Sequence, residues 1–168
     1  GETHKNLRTV SRLLDTMAER KLARDDVVLG LGGGVSTDIA GFAASLYQRG
    51  LRWIAVPTSL MGMADAAIGG KTGVDHPLGK NLIGTFHQPV AVLAPLKGLE
   101  TLPAREWTSG SAEVVKAALL SGGNLWNTVS QLGPDLFSWP RERVFDAIVT
   151  AARVKVEMVA QDEKEGDR

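Results

Sequence analysis

Apolar residues recur at Leu7, Val10, Leu13, Leu14 and Met17 between His4 and Leu22, a spacing that gathers them on one face of a helix. Arg24-Asp25-Asp26 breaks the pattern, and Val27-Val28-Leu29-Gly30-Leu31 then reads as a short buried strand. Gly32-Gly33-Gly34 leads into a second helical stretch from Val35 to Tyr47. Arg52-Trp53-Ile54-Ala55-Val56, closed by Pro57, is a second strand, and Val90 to Ala94 a third before Pro95. Helix, strand, glycine turn, helix, strand is the rhythm of a βαβ unit on a parallel sheet. From Thr58 to Gly84 the periodicity dissolves. Gly62, Gly69, Gly70, Gly73, Gly79 and Gly84 punctuate a segment carrying Lys71, Asp75, His76, Lys80 and Asn81, which predicts a functional loop system. After Pro103 only helices are predicted, over Ala104 to Leu120 and Glu142 to Val159, with breaks at Gly122-Gly123 and from Gly133 to Pro140. The expected organisation is a partial α/β domain over residues 1–103, then the start of an all-α domain over 104–168.

Composition narrows the chemistry. In 168 residues, 19 Lys+Arg balance 19 Asp+Glu, which argues against broad electrostatic binding to nucleic acid or an anionic membrane. The chain has no Cys, so disulfides, thiolate metal sites and thiol nucleophiles are excluded. No apolar run approaches the ~18–20 residues of a membrane helix, and no secretory pattern opens the chain. The expected location is cytoplasmic. A start at Gly1 and a close in the charged run Asp162 to Arg168 lead to the expectation that both ends are cut.

Three groups of residues can carry chemistry. Gly32-Gly33-Gly34-Val35 lies between a strand and a helix, where backbone N–H groups and a positive helix end suit an anion such as pyrophosphate. Neither G-x-G-x-x-G nor the P-loop pattern fits there, so a tight structural turn stands as the alternative, with Asp38 a favourable charge at a helix start. Lys71 and Lys80-Asn81, in glycine-framed stretches, can converge on a phosphate, with Asp65 an acceptor for hydroxyls; the alternative is solvated loop charge. Glu113 and Lys116 share a helix face at i and i+3, the spacing of an ordinary ion pair. His4, His76 and His87 form no ligand pair with Glu113, and His76 and His87 are expected to be exposed or hydrogen-bonded.

Taken together, these blocks resemble the 3-dehydroquinate synthases of the sugar phosphate cyclase family. The resemblance is carried by Gly1-Glu2-Thr3-His4-Lys5, Gly32-Gly33-Gly34-Val35 with Asp38, Ala40-Gly41-Phe42, Arg49-Gly50 and Val56-Pro57-Thr58-Ser59-Leu60. It continues through Gly69 to Gly73, His76-Pro77-Leu78-Gly79-Lys80-Asn81-Leu82-Ile83-Gly84, Gln88-Pro89, Leu102-Pro103, Ala112-Glu113-Val114-Val115-Lys116, Lys155 and Asp162-Glu163. It implies a Rossmann-like NAD-binding domain followed by the start of a helical metal-binding domain. It further implies a homodimeric enzyme using NAD and a divalent metal, zinc or cobalt, to turn 3-deoxy-arabino-heptulosonate 7-phosphate into 3-dehydroquinate and phosphate in the shikimate route.

By the same resemblance, Glu2 and Lys5 contact the adenosine ribose, and Gly33, Gly34, Val35 and Asp38 the pyrophosphate and ribose. Thr58, Ser59, Lys71, Lys80 and Thr101 are further cofactor positions. Asp65, Lys71, Asn81, Lys116 and Lys155 match substrate positions, Arg49 a phosphate contact given by a second subunit, and Glu113 a metal ligand. The sequence departs from the family at Thr37, where Gly is usual and where a side chain is expected to crowd the pyrophosphate turn or be tolerated, and at Asp75, where Asn is common. The closing segment Asp162 to Arg168 is one residue shorter than the family's spacing to its substrate arginine, so Arg168 is either that arginine or its neighbour and is left unassigned. The family's two metal-binding histidines are expected beyond residue 168 and its first strands before Gly1, so the 168 residues alone are expected to be inactive. Other cyclases, of the deoxyinosose or valiolone type, and a non-catalytic NAD-binding module are the competing expectations.

Overall fold

The computed structural model describes residues 1–162. The chain forms two compact units, one of Gly1–Pro57 with Gly70–Leu93, the other of Thr58–Gly69 with the chain from Ala94 on.

In the first unit a 3-10 turn over Glu2–His4 precedes helix α1, Leu7–Glu19. Asn6 starts α1 by accepting the Thr9 N–H at 3.0 Å, and Val10 and Met17 are its buried positions. Strand β1 (Val27–Gly32), helix α2 (Gly34–Leu46) and strand β2 (Arg52–Pro57) make the expected βαβ unit. β1 and β2 pair in parallel with Leu29 opposite Ile54, and the short β5, Ala91–Val92, pairs with the far side of β2. Val10, Met17, Ile39, Phe42, Ala43 and Val74 form the core of this unit.

The segment expected to be loops is, in its second half, an antiparallel hairpin of β3, Lys71–His76, and β4, Gly79–Phe86. Lys71, Lys80 and Asn81 therefore sit on strands. Gly73 faces Gly84 in register, and a Cβ on Gly84 would run into the Thr72 carbonyl oxygen. Here glycine permits two backbones to approach closely, a use that looks like loop punctuation in one dimension. β4 is exposed or half-exposed at every position, so no apolar alternation marks it as a strand.

The second unit holds α3, Ala104–Ser121, α4, Gly123–Leu132, and α5, Arg141–Gln161. α4 lies between two glycine breaks and buries only Leu125 and Val129. A π-helical turn over Gly62–Ala66 belongs to this unit because Leu60, Met63 and Ala64 insert among Trp107, Val114, Leu125, Leu136 and Ile148. The boundary expected at residue 103 thus falls at Leu93, and residues 58–69 join the helices by burying their apolar side chains there. α3 approaches the turn closely at Gly110, where a Cβ would lie 2.5 Å from the Leu60 Cβ. Ser111 pins the other side of α3 by accepting the Leu136 N–H at 3.1 Å.

Gly84→Ala is expected to lower unfolding stability by about 2 kcal/mol or more, the scale of a forced backbone shift, in urea denaturation. Gly79→Ala, whose Cβ would meet only the flexible end of Leu82, serves as the contrast and should cost less than half as much.

Candidate functional site

In the α/β unit the candidate residues gather around the start of α2 and the hairpin. Gly33 stands at the N-cap of α2 and no side chain caps the turn, so its first N–H groups are open to a ligand. Gly34 and Val35 open the helix, half-buried. Thr37 does not crowd this turn: it is 1% exposed and its hydroxyl donates to the Gly34 carbonyl at 2.9 Å. The open turn fits a dinucleotide pyrophosphate.

Lys5 ties this turn to the hairpin. Its ammonium is buried and donates to Asp38 Oδ2 at 2.6 Å and to Asn81 Oδ1 at 2.5 Å. Burial pushes the Asp38 carboxyl above its ordinary value, while the Lys5 hydrogen bond and charge pull it back down; the charges of Glu2 and Asp75 add smaller upward pushes. Lys80, exposed, donates to Glu2 Oε1 at 2.6 Å, and that hydrogen bond and charge raise its pKa. Lys71 opens β3 opposite Phe86 and is exposed. Arg49 is exposed at φ +68°, at the end of a 3-10 turn over Tyr47–Arg49.

In the helical unit the structure brings Asp65, Glu113, Lys116 and Lys155 together. Asp65 lies in the π-helical turn, a local irregularity frequent at functional sites. Lys155 Nζ from α5 stands 2.9 Å from Asp65 Oδ1, and Lys116 Nζ from α3 stands 3.8 Å from the same oxygen. Lys116 also pairs with Glu113 Oε2. That Glu113 oxygen is sealed from solvent, with the Lys116 ammonium as its partner. Ser59 accepts the N–H of Gly62, the first residue of the π-helical turn, at 3.2 Å; Thr58 is half-buried, and Thr101 is exposed at the end of a 3-10 turn over Leu96–Thr101.

Glu113 Oε2 is shielded from solvent and faces the Lys116 ammonium, and a carboxylate is a usual ligand of a divalent metal, so Glu113 fits as one metal ligand. Among the described residues there is no group of three or more His, Cys, Asp and Glu able to hold an ion. His76 Nδ1 accepts the Leu78 N–H, and His87 bonds the Leu51 carbonyl at 2.8 Å, so both are engaged locally, as the sequence predicts. Glu163 and Arg168, singled out in the sequence, lie outside the described residues. A cleft of about 390 Å³ beside Leu99, Trp107, Phe137 and Trp139 is lined by none of the candidate residues. Sequence reasoning treats Asp75 as a mere departure, yet its Oδ1 accepts the Asn81 N–H at 2.8 Å; the one sequence signal is its place just before the hairpin turn. Among the described residues, no helix is long and apolar enough to cross a membrane.

A parallel sheet with flanking helices, an uncapped glycine turn at a helix start and a following helical region define a Rossmann-like chain of the nucleotide-binding class. The family models described as "3-dehydroquinate synthase N-terminal" and "3-dehydroquinate synthase C-terminal" match residues 1–109 and 110–168. The chain belongs to the 3-dehydroquinate synthase family. It is 49% identical over 166 residues to a 3-dehydroquinate synthase from Gloeobacter violaceus, a match covering 99% of this chain and 46% of the relative. A 2-epi-5-epi-valiolone synthase from Streptomyces hygroscopicus subsp. jinggangensis, solved with NAD+ and Zn2+ bound, superposes with TM-score 0.92 at 35% identity, over 99% of this chain and 47% of that one. A 2-deoxy-scyllo-inosose synthase complexed with carbaglucose-6-phosphate, NAD+ and Co2+ gives 0.89 at 28% identity, over 99% and 46%. The chain thus spans about half the length of the relatives it matches.

For Asp38, the raised folded pKa means that the folded state keeps a proton the unfolded chain releases at about 3.9. This group's contribution to stability therefore falls as pH rises from there through the folded pKa, and is level above it. Carboxyl ¹³C NMR should place the Asp38 midpoint above the ordinary value, and Lys5→Met should raise it further, because desolvation then acts unopposed. A midpoint unmoved by that substitution would show that Lys5 does not govern Asp38.

Proposed function

We propose that this chain is the central part of a 3-dehydroquinate synthase, converting 3-deoxy-arabino-heptulosonate 7-phosphate to 3-dehydroquinate and phosphate. The observation that carries the reading is the cluster in the helical unit, where the Asp65 carboxylate faces two lysine ammoniums and one of them also pairs with the Glu113 carboxylate. Such a group suits a polyhydroxylated anion: the carboxylate accepts from hydroxyls and the ammoniums neutralise negative charge. The 49% identity to a named synthase supports the same substrate.

In this reading the uncapped start of α2, with Gly33, Gly34 and Val35, receives the cofactor pyrophosphate, and Asp38, Glu2, Lys5, Lys80, Thr58, Ser59 and Thr101 contact the rest of NAD. Glu113 supplies one ligand to a divalent metal, zinc or cobalt, the ions bound in the two related solved cyclases. The chemistry those groups would supply when bound is hydride acceptance and return by NAD and polarisation of a substrate oxygen by the metal. Lys71 and Asn81 hold the substrate's anionic oxygens, and Asp65 with Lys155 and Lys116 orients its hydroxyls and disperses charge as phosphate departs. Because the hydride is returned, the net reaction is that of a carbon–oxygen lyase. Arg49 reaches a phosphate from a second copy in a homodimer, and the enzyme works in the cytoplasm.

A second reading, another sugar phosphate cyclase, is favoured by the TM-score of 0.92 to the valiolone synthase. The protein expressed from its native reading frame, supplied with NAD+ and Zn2+, is expected to release phosphate from the heptulosonate phosphate. Release from sedoheptulose 7-phosphate or glucose 6-phosphate instead would favour the second reading. Lys71→Ala should lower turnover at least ~10-fold, the scale of losing one charge-assisted phosphate contact; unchanged kinetics would return Lys71 to solvated surface charge. The 168-residue chain by itself should bind zinc more weakly than micromolar by calorimetry, since one carboxylate is a poor site.

A further inference from the structure

Asp75 is half-buried on β3, and two of its groups reach in different directions. Its backbone N–H donates to the Lys5 carbonyl at 2.9 Å. Its Oδ1 accepts the backbone N–H of Asn81 at 2.8 Å. Lys5 closes the ring, its Nζ donating to Asn81 Oδ1 at 2.5 Å. Lys5 and two residues of the hairpin, Asp75 and Asn81, thus form a closed cycle of hydrogen bonds.

The cycle bears on Asn81 in two ways. Asn81 has φ +55°, a left-handed conformation that asparagine tolerates better than most residues with a Cβ and that a hydrogen bond to its N–H helps to hold. The Asp75 carboxylate secures it by taking the N–H that this conformation turns toward β3. Lys5 then sets the side chain. An ammonium only donates, so the amide oxygen must face it, and the amide nitrogen of the exposed Asn81 is left to donate outward.

We propose that Asp75 is a positioning residue that holds Asn81 with its amide nitrogen presented as a donor to an anionic oxygen of the sugar phosphate. The ligand in this statement rests on the function proposed above; the positioning itself does not. What the role needs from residue 75 is a side-chain oxygen three bonds from Cα, with or without charge. Asparagine offers the same acceptor, so the family's common residue at this position and the Asp of this chain do the same work. Asp75 also raises the Asp38 pKa slightly through its charge, a minor effect that Asn would abolish without touching Asn81.

The test compares Asp75→Ala with Asp75→Asn. In the 168-residue chain, Asp75→Ala should speed hydrogen exchange of the Asn81 amide at least ~10-fold relative to the rest of β4, and Asp75→Asn should restore it to within about 3-fold of the original. In the protein from its native reading frame, Asp75→Ala should lower kcat/KM for the heptulosonate phosphate about 10-fold while the Kd for NAD+ changes less than about twofold; Asp75→Asn should recover the former. A merely structural role would weaken both ligands together. Equal exchange in all three proteins, or an Asn variant as poor as the Ala variant, overturns the proposal. If Asp75→Ala does not fold, scalar coupling across the hydrogen bond between Asn81 ¹⁵N and Asp75 ¹³Cγ in the unsubstituted chain decides the matter, its absence being the overturning result. The exchange and coupling measurements need no substrate. A protein that releases no phosphate while its exchange data follow the expected pattern therefore sinks the proposed reaction and leaves the positioning intact.

Discussion

A lysine ammonium removed from water must be paired and hydrogen-bonded, and Lys5, 7% exposed, imposes that demand on the whole α/β unit. Its partners, Asp38 and Asn81, lie 33 and 76 positions along the chain. Satisfying one charge therefore requires the N-terminal turn, the first turns of α2 and strand β4 to meet within hydrogen-bond distance. Leaving such a buried group with one partner removed typically costs about 3–5 kcal/mol, a large share of any domain's stability. Asp38 answers with a carboxyl whose burial raises its pKa and whose contact with Lys5 lowers it again. The positions that the family resemblance assigns to cofactor and to substrate are thus mechanically joined through one ammonium.

The helical unit solves a different problem with similar means. Asp65, Glu113, Lys116 and Lys155 come from three separate segments and remain partly open to solvent, so their mutual attraction is weaker than that of the Lys5 pairs. What holds them in place is packing. Gly110 lets α3 press onto Leu60, and Leu60, Met63 and Ala64 carry the π-helical turn into the helical core. The charged groups ride on that apolar contact. Such an arrangement keeps the functional atoms available to a ligand while the scaffold beneath them stays rigid.

Much of the fold was written in local patterns. α1, α2, β2, α3 and α5 follow from the periodicity of their apolar residues because each buries one face or stripe in a core. β1 stands where expected but is not the buried strand its apolar run suggests: Leu29 and Leu31 are exposed and only Gly30 is buried. The hairpin was not readable this way, since β4 buries neither face and its glycines serve close strand approach. α4 was hidden between two glycine breaks with only Leu125 and Val129 to mark it. Among the site residues, Glu113-Val114-Val115-Lys116 reads by itself as an ordinary ion pair, which it is; the added presence of Asp65 and Lys155 is invisible from spacing. Thr37, expected either to crowd the pyrophosphate turn or to be tolerated there, turns inward and bonds the helix's own first turn.

The sequence by itself determined the parallel βαβ frame, the helical character after residue 103 and, through its ordered motif blocks, the family. These are properties of neighbouring residues: a hydrophobic period, a glycine turn, a run of matching positions. The tertiary structure alone decided which charges pair. Lys5 with Asp38 and Asn81, and Asp65 with Lys155, are separated by tens of residues, and only the folded backbone brings their atoms within 3 Å. It alone also showed Asp75 as the acceptor that secures Asn81, because the direction of a hydrogen bond depends on where strands cross and not on which residues adjoin.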